Sequence, residues 1–341
     1  MTDSRKLKTS LSTDIDLDAD GKHTGRIRVP YSRDDAAWGS ILIPITSIKN
    51  GKGPTILLTG GNHGDEYEGQ LALLDLSKKL EADEINGQII LLPHMNYPAV
   101  ISGTRTSPID KGNMNRLFPG NPQGGVTEKI AHYVATELVP RADIVLDMHS
   151  GGKTLDFIPS AVIHHLEDKK IMKESLAAME AFGAPVSMVL GEDTTGMLDG
   201  EVEKLGKIFI STELGGLGTA SAERVRIAHQ GIVNMLRHFE VLDGSVEKRP
   251  TRFMDTPEGR SSVVSYHEGM VDFFVDLGEE IKEGEPLARI WNYQNPEDDP
   301  VLYTAPQSGI LYARHGPGLI KCGDAIAYVA IGFDPASLGV R

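Results

Sequence analysis

The sequence contains a single cysteine, Cys322, among its 341 residues. One thiol excludes an intramolecular disulfide framework and a zinc site built from cysteines. No apolar run approaches the roughly 18 residues of a membrane-spanning helix. The first 25 residues are polar and mixed in charge, without the apolar centre of a signal peptide. We therefore expect a protein of the cytoplasm.

Positive charge is also scarce, because 34 lysines and arginines stand against 48 aspartates and glutamates, a net charge of −14. This balance disfavours nucleic acids and anionic membranes as partners. It is compatible with a small-molecule substrate that carries a positive group. The hydrophobic share of 40% and the charged share of 24% are typical of a soluble globular protein.

Buried strands and amphipathic helices alternate through the first 250 residues. The predicted strands are 54–59, 88–93, 143–148, 185–190 and 207–212, and the predicted helices are 68–80, 126–138, 167–182 and 220–240. This order predicts an α/β fold with a parallel or mixed central sheet and flanking helices. A long loop rich in Gly, Pro, Asn and Ser follows the second strand and extends to Gly125.

The pattern changes after residue 250, where short strands are separated by turn residues. We predict an α/β domain at 1–250 and a small β-rich domain, sandwich-like or barrel-like, at 251–341. The second domain resembles the lipoyl and biotinyl carrier sandwiches, but no lysine lies in the tight turn where such carriers attach their cofactor. An oligomerisation or lid module is the simpler interpretation.

Three side chains have the chemistry of a catalytic zinc site. His63 and Glu66 are spaced His-x-x-Glu directly after a buried strand, and His149 lies at the end of another strand. Two histidines and one glutamate leave a fourth zinc position open for water or substrate. The spacing alone is a weak signal, since the same residues could form a helix cap and an exposed acid. We predict one Zn²⁺ per chain at this site.

Two carboxylates near strand ends are candidates for supporting roles. Glu213 follows an apolar strand and precedes glycines, which suits a general base beside a metal. Its alternative is a solvated loop acid. Strand alternation puts Asp147 on the same face as His149. Asp147 could therefore fix the tautomer of the imidazole or serve only as a structural hydrogen-bond acceptor.

The long loop supplies candidates for substrate binding. An arginine beside an asparagine, as in Asn115 and Arg116, can clamp a carboxylate through charge-assisted hydrogen bonds. A second arginine, Arg105, could stabilise the oxyanion that forms when water attacks an amide. Exposed surface charges are the alternative interpretation. Loops of this length inside a compact domain are usually functional.

Other polar residues receive simpler interpretations. We expect His94 to be a packed or loop histidine, and the pair His164–His165 to begin a surface helix. Asp193 and Asp199 lie in a glycine-rich loop and could meet a substrate ammonium group. Solvated loop acids are the simpler expectation for both.

Taken in order, these motifs resemble the succinylglutamate desuccinylase/aspartoacylase family, which is related to the zinc carboxypeptidases. The resemblance covers about residues 50–240, and the β-rich domain also fits. The matching positions are His63 and Glu66, Asn96 and Pro98, Arg105, Asn115, Arg116 and Phe118, Asp147 and His149, and Glu213.

The resemblance implies a role for each candidate. The two histidines and Glu66 would bind zinc, and Arg105 would polarise the scissile carbonyl. Asn115 and Arg116 would hold the α-carboxylate of the substrate. Glu213 would activate water and then protonate the leaving amine. Oligomers are common in the family, so a homo-oligomer is possible.

Two loops, 61–69 and 113–120, most resemble the ectoine-degradation branch of the family, which deacetylates N-acetyl-L-2,4-diaminobutanoate. The resemblance therefore implies hydrolysis of the amide bond of a small N-acyl amino acid. Aspartoacylase or succinylglutamate desuccinylase activity is one alternative. A metallocarboxypeptidase and a catalytically silent metal-binding protein are two others.

Overall fold

The computed structural model describes residues 7–191, 193–257 and 259–339. The strands in these ranges are β1 (Ser12–Thr13), β2 (Gly21–Pro30), β3 (Ser40–Asn50), β4 (Thr55–Gly60), β5 (Gly87–Leu92), β6 (Ile144–Met148), β7 (Leu155–Phe157), β8 (Ser160–His164), β9 (Val186–Leu190), β10 (Ile208–Glu213), β11 (Arg252–Asp255), β12 (Ser262–Val264), β13 (Gly269–Phe273), β14 (Glu280–Ile281), β15 (Pro286–Trp291), β16 (Val301–Thr304), β17 (Gly309–His315), β18 (Leu319–Ile320) and β19 (Ala325–Gly332). The helices are α1 (Tyr67–Lys79), α2 (Tyr97–Ser102), α3 (Val126–Tyr133), α4 (Lys169–Phe182), α5 (Leu198–Glu203) and α6 (Ala222–His238).

A mixed sheet forms the centre of the molecule, in the order β3-β5-β4-β6-β10-β8-β9. Strands β5, β4, β6 and β10 are parallel to one another, whereas β3 and β8 run antiparallel to their neighbours β5 and β10. This arrangement confirms the predicted α/β class with a mixed sheet. None of the helices in the described ranges is long and apolar enough to cross a bilayer.

Both faces of the sheet are covered, which explains the continuous apolar runs of its strands. Along β4, Ile56 and Leu58 join the core beneath α1, α4 and α6. Leu57 points the other way, into a second core with α3, α5 and the β2–β3 hairpin. Successive side chains of a strand thus pack into different cores, and the central sheet lies between two layers of other elements.

The β-rich region has its own core, which includes Leu287 and Ile326. It is nevertheless continuous with the central sheet, because β11 pairs with both β9 and β19, and β7 pairs with β17. A small joint core contains Val162, Met254 and Tyr312. The predicted β-rich character is confirmed, and the division at residue 250 stays a prediction.

Two sequence-based interpretations were wrong here. The segment 94–125 contains α2 and a short 3₁₀ turn at Met114–Arg116, so it is not a plain loop. His164 does not begin a surface helix, because it ends β8 and is buried, and α4 begins only at Lys169. Its imidazole is in contact with Glu203 instead of solvent.

Candidate active site

Three parallel strands end at the same edge of the sheet and deliver the candidate residues there. Because β4 pairs in parallel with β6, and β6 with β10, their carboxyl ends are aligned. The turn after β4 holds His63 and Glu66, the residue after β6 is His149, and β10 ends on Glu213. This edge is where α/β sheets place their ligands.

Helix α1 packs closely against the end of β6 because a glycine lies at the point of contact. A Cβ on Gly69 would lie 2.2 Å from Cβ of Met148, so only glycine lets α1 pack against the end of β6. Glu66 occupies the N-cap position of α1, yet its side chain forms no capping hydrogen bond. Its carboxylate is also buried, so the alternative of a helix cap and an exposed acid was wrong for Glu66.

The side chains of His63, Glu66 and His149 converge at one buried point. Nδ1 of His63 lies 2.6 Å from Oε1 of Glu66, and Nδ1 of His149 lies 2.8 Å from Oε2 of the same carboxylate. One ligand atom from each residue lies within 4.8 Å of the other two. The structure thus brings together all three predicted ligands, and this group can hold a metal ion.

The outer nitrogens of both imidazoles are held by acceptors. Nε2 of His149 donates to Oδ2 of Asp147 (2.9 Å), and Nε2 of His63 donates to Oδ1 of Asn113 (3.1 Å). An acceptor on Nε2 keeps the proton there and leaves the Nδ1 lone pair for a metal. The donor set and the orientation of both rings therefore fit a divalent cation such as zinc. Asp147 thus forms the hydrogen bond to His149 that strand alternation suggested.

The ionisable side chains of the cluster shift one another's pKa values. Burial opposes ionisation of Glu66, but His63 and His149 more than reverse this and hold the pKa of the carboxyl below its usual range. Burial also opposes protonation of His149, and the carboxylates of Asp147 and Glu66 raise its pKa well above the usual value. The two carboxylates thus supply the negative charge that a divalent cation needs.

The loop residues after β5 reach the same site. Nη1 of Arg105 lies 3.3 Å from Nδ1 of His63 and 3.5 Å from Oε1 of Glu66. Asn115 and Arg116 line the cavity above these residues. The side-chain oxygen of Asn115 accepts a hydrogen bond from the backbone N–H of Leu198 (3.1 Å), which leaves its NH₂ group to act as a donor.

Glu213 is the last residue of β10 and also lines this cavity, so it is not a loop acid. The residue before it, Thr212, accepts a hydrogen bond through Oγ1 from the backbone N–H of His149 (3.0 Å). The residue after it, Leu214, donates its backbone N–H to the carbonyl of His149 (3.1 Å). The end of β10 therefore fixes a metal-ligand candidate and Glu213 in one rigid unit.

The cavity has a volume of about 450 Å³ and is partly walled by the β-rich region. Ser262, Tyr312 and Tyr328 come from that region, and Phe157 and Val162 add an apolar surface. Oη of Tyr312 and Oγ of Ser160 are 2.7 Å apart, which anchors one side of this wall. The cavity thus combines a polar end that can hold a metal ion with a partly apolar wall.

The structure also places residues that the sequence analysis interpreted differently. Asn113, a residue of loop 113–120 for which no role of its own was predicted, accepts the hydrogen bond from Nε2 of His63. Asp199 is buried in α5 and lines the cavity, so the expectation of a solvated loop acid was wrong. Asp193 is exposed and accepts a hydrogen bond from the backbone N–H of Thr195 (2.9 Å), as expected of a loop acid.

Comparison with known proteins agrees with this geometry. Residues 52–239 match the model of the succinylglutamate desuccinylase/aspartoacylase catalytic domain. The chain is 45% identical over 323 residues, 94% of each chain, to N-alpha-acetyl-L-2,4-diaminobutyric acid deacetylase of Halomonas elongata.

Two solved structures have nearly the same fold. The product-bound ectoine utilization protein EutE (DoeB) of Ruegeria pomeroyi is 48% identical, with a TM-score of 0.94 and coverage of 95% of this chain and 99% of that one. A succinylglutamate desuccinylase from Silicibacter sp. TM1040 is 48% identical, with a TM-score of 0.93 and coverage of 96% and 100%. With its ligand set at the ends of parallel strands, the chain belongs to the succinylglutamate desuccinylase/aspartoacylase family.

Proposed function

We propose that the protein is a zinc-dependent deacylase that hydrolyses N-acetyl-L-2,4-diaminobutanoate to acetate and 2,4-diaminobutanoate. The observation that carries this proposal is the buried group His63, Glu66 and His149 in one cavity with Glu213. The deacetylase from Halomonas elongata, 45% identical over 94% of both chains, supports the choice of substrate.

The protein side chains would divide the chemistry among them. A zinc ion held by the three ligands would polarise the acyl carbonyl and lower the pKa of water. Glu213 would take a proton from the attacking water on its carboxylate and then give it to the nitrogen of the leaving amine. Arg105, whose guanidinium lies beside His63 and Glu66, would stabilise the oxyanion.

The substrate carboxylate would be held by the clamp residues, Asn115 and Arg116. Nη1 of Arg116 donates to the backbone carbonyl of Asn115 (2.6 Å), which orients the guanidinium beside the amide. The NH₂ group of Asn115 and the remaining donors of Arg116 would pair with the two carboxylate oxygens.

The cavity itself favours a small substrate over a peptide. Its volume of about 450 Å³ and its wall from the β-rich region suit an acylated amino acid. The wall from the β-rich region argues against the metallocarboxypeptidase alternative, because it narrows the space for a peptide chain. Glu213 and the clamp residues share the cavity with the ligands, which argues against a silent metal-binding protein, because such a protein needs neither.

A substrate panel tests the proposal. Release of amine is measured with N-acetyl-2,4-diaminobutanoate, N-acetylaspartate, N-succinylglutamate and a short peptide. We expect the first compound to be hydrolysed with the highest kcat/KM. Preference for N-acetylaspartate or N-succinylglutamate would reassign the activity within the family, and preference for the peptide would support a carboxypeptidase.

Elemental analysis of the purified protein tests the metal separately. We expect about one zinc per chain in the natural protein and much less in His63→Ala and His149→Ala. Equal metal content in all three samples would contradict the proposed site.

A further inference from the structure

One buried carboxylate of the cavity has no place in the reaction described above. Asp199 lies in the first turn of α5, is only 7% exposed and lines the cavity. The ion-pair partner of its Oδ2 is Nε2 of His164, at 3.7 Å, which is too far for a hydrogen bond. Nδ1 of the same histidine is 2.8 Å from Oε1 of Glu203. His164 therefore contacts Glu203 as well as facing Asp199.

The charge of Asp199 is incompletely balanced by the protein. Burial raises its pKa to about 6, although the nearby imidazoles of His164 and His149 and a backbone hydrogen bond act in the opposite direction. A buried carboxylate is expensive unless a cation or hydrogen-bond donors compensate for the lost water. A positively charged group entering the cavity would provide that compensation.

Asp199 also lies next to the clamp for the substrate carboxylate. The backbone N–H of Leu198, its neighbour in sequence, donates to Oδ1 of Asn115 (3.1 Å). The backbone N–H of Phe118 donates to the carbonyl of Gly196 (3.0 Å), so the two segments are joined at a second point. The position of the acid is thus tied to that of the clamp, as recognition of one small molecule with two charged ends requires.

We propose that Asp199, with His164 behind it, is the cation subsite of this cavity and accepts the side-chain ammonium group of an N-acyl diamino acid. This inference rests on the proposed function and adds the residue that selects the substrate. The same carboxylate would repel the side chain of N-acetylaspartate, so that discrimination comes from repulsion as well as attraction. Asp193 also lines the cavity, but it is a weaker candidate because it is exposed and its carboxylate already accepts the N–H of Thr195.

The test compares two substrates that differ only in charge. N-acetylnorvaline has a methyl group where N-acetyl-2,4-diaminobutanoate has its ammonium group. We expect the unaltered enzyme to prefer the cationic substrate in kcat/KM by roughly ten- to a hundredfold, the range for a hydrogen bond to a charged group. In Asp199→Asn this preference should fall to within about threefold, with N-acetylnorvaline hydrolysed nearly as before.

Glu201→Gln is the matched control. It removes one negative charge from the same helix, but Glu201 does not line the cavity and its carboxylate pairs with Lys204 (2.8 Å). We expect this variant to keep the full preference for the cation. Equal loss of both activities in Asp199→Asn, or an unchanged preference, would overturn the subsite.

Calorimetry of the binding of 2,4-diaminobutanoate and of norvaline tests the cation subsite separately from the proposed deacylase function. The measurement requires binding only and no turnover. Tighter binding of the diamine by the unaltered protein, lost in Asp199→Asn, supports the subsite even if the panel finds another reaction. Equal binding of both amines by the unaltered protein contradicts it, whether or not the variant folds.

Discussion

Oδ2 of Asp147 accepts a hydrogen bond of 2.9 Å from Nε2 of His149, two residues further along the chain. The carboxylate is itself held by Oγ1 of Thr59 (2.6 Å) and by Nδ2 of Asn62 (3.0 Å). The imidazole therefore presents Nδ1 towards Glu66 in a fixed orientation. The hydrogen bond thus fixes the orientation of the ring through which His149 would bind a metal ion.

Asp147→Asn should weaken zinc binding by about 10- to 100-fold, the usual effect of losing a hydrogen-bond partner of a ligand. The amide keeps the shape but removes the charge that favours a proton on Nε2. Competition with a chromophoric chelator measures the affinity. Asp143→Asn, at a carboxylate that accepts the backbone N–H of Thr55 and does not contact the histidines, is the control. An unchanged affinity in Asp147→Asn would contradict this role.

Glu213→Gln should lower kcat by roughly 10²-fold or more, because the amide cannot accept the proton of the attacking water. Zinc content and KM should change little, since the ligands and the clamp are untouched. Steady-state kinetics and elemental analysis of the same preparation check both statements. Near-normal turnover, or loss of the metal, would assign another role to this side chain.

Arg116→Ala should lower kcat/KM for N-acetyl-2,4-diaminobutanoate by roughly tenfold to a few hundredfold, as expected for loss of a charge-assisted hydrogen bond. The α-amide of the same compound lacks the anion and should be hydrolysed poorly by both proteins, with little difference between them. Arg226→Ala, at an exposed arginine of α6, controls for loss of positive charge. Efficient hydrolysis of the α-amide by the unaltered enzyme would remove the clamp from the mechanism.

Asp199→Asn should stabilise the folded protein at pH 8. Burial raises the pKa of Asp199 from 3.8 to about 6, so ionisation is less favourable in the folded state than in the unfolded chain. The stability associated with this group is complete below pH 3.8 and is lost as the pH rises through about 6. The asparagine cannot ionise and avoids this loss, which is about 3 kcal/mol for a pKa rise of this size.

Thermal unfolding of both proteins at pH 8 and at pH 4.5 tests this expectation. The melting temperature of Asp199→Asn should exceed that of the unaltered protein at pH 8, and the difference should shrink at pH 4.5. A variant that is less stable at both values would show that Asp199 has a structural role. Asp199→Asn could be more stable at pH 8 and also lose the preference for the cationic substrate. That result would mean that Asp199 provides substrate specificity and lowers the stability of the folded protein.

Several elements could be predicted from short stretches of sequence. Strands β4, β5, β6 and β10 are buried on both faces, so each one appears as a continuous apolar run. Strand β2 was not predicted, although Ile27 and Val29 alternate with Arg26 and Arg28, the period-two signal of a half-buried strand. Helix α5, with only six residues, is too short to produce a helical period.

The candidate metal ligands could also be predicted, because their signals are local in the sequence. His63 and Glu66 lie three residues apart in one turn, and His149 directly follows a recognisable strand. The partner of His63, Asn113, lies fifty residues away in sequence, and no local pattern connects the two. Its role depends on how the segment after β5 folds back over the sheet edge.

The sequence by itself determined the fold class, the family resemblance and the residue types available for a metal site, because these depend on local periodicity and on motifs at strand ends. Only the tertiary structure decided which polar groups are buried together. Asp199 became a cavity residue because α5 packs against the clamp segment, and Tyr312 reached the cavity because β17 pairs with β7. Burial and electrostatic environment are properties of contacts between distant segments, and a linear pattern does not contain them.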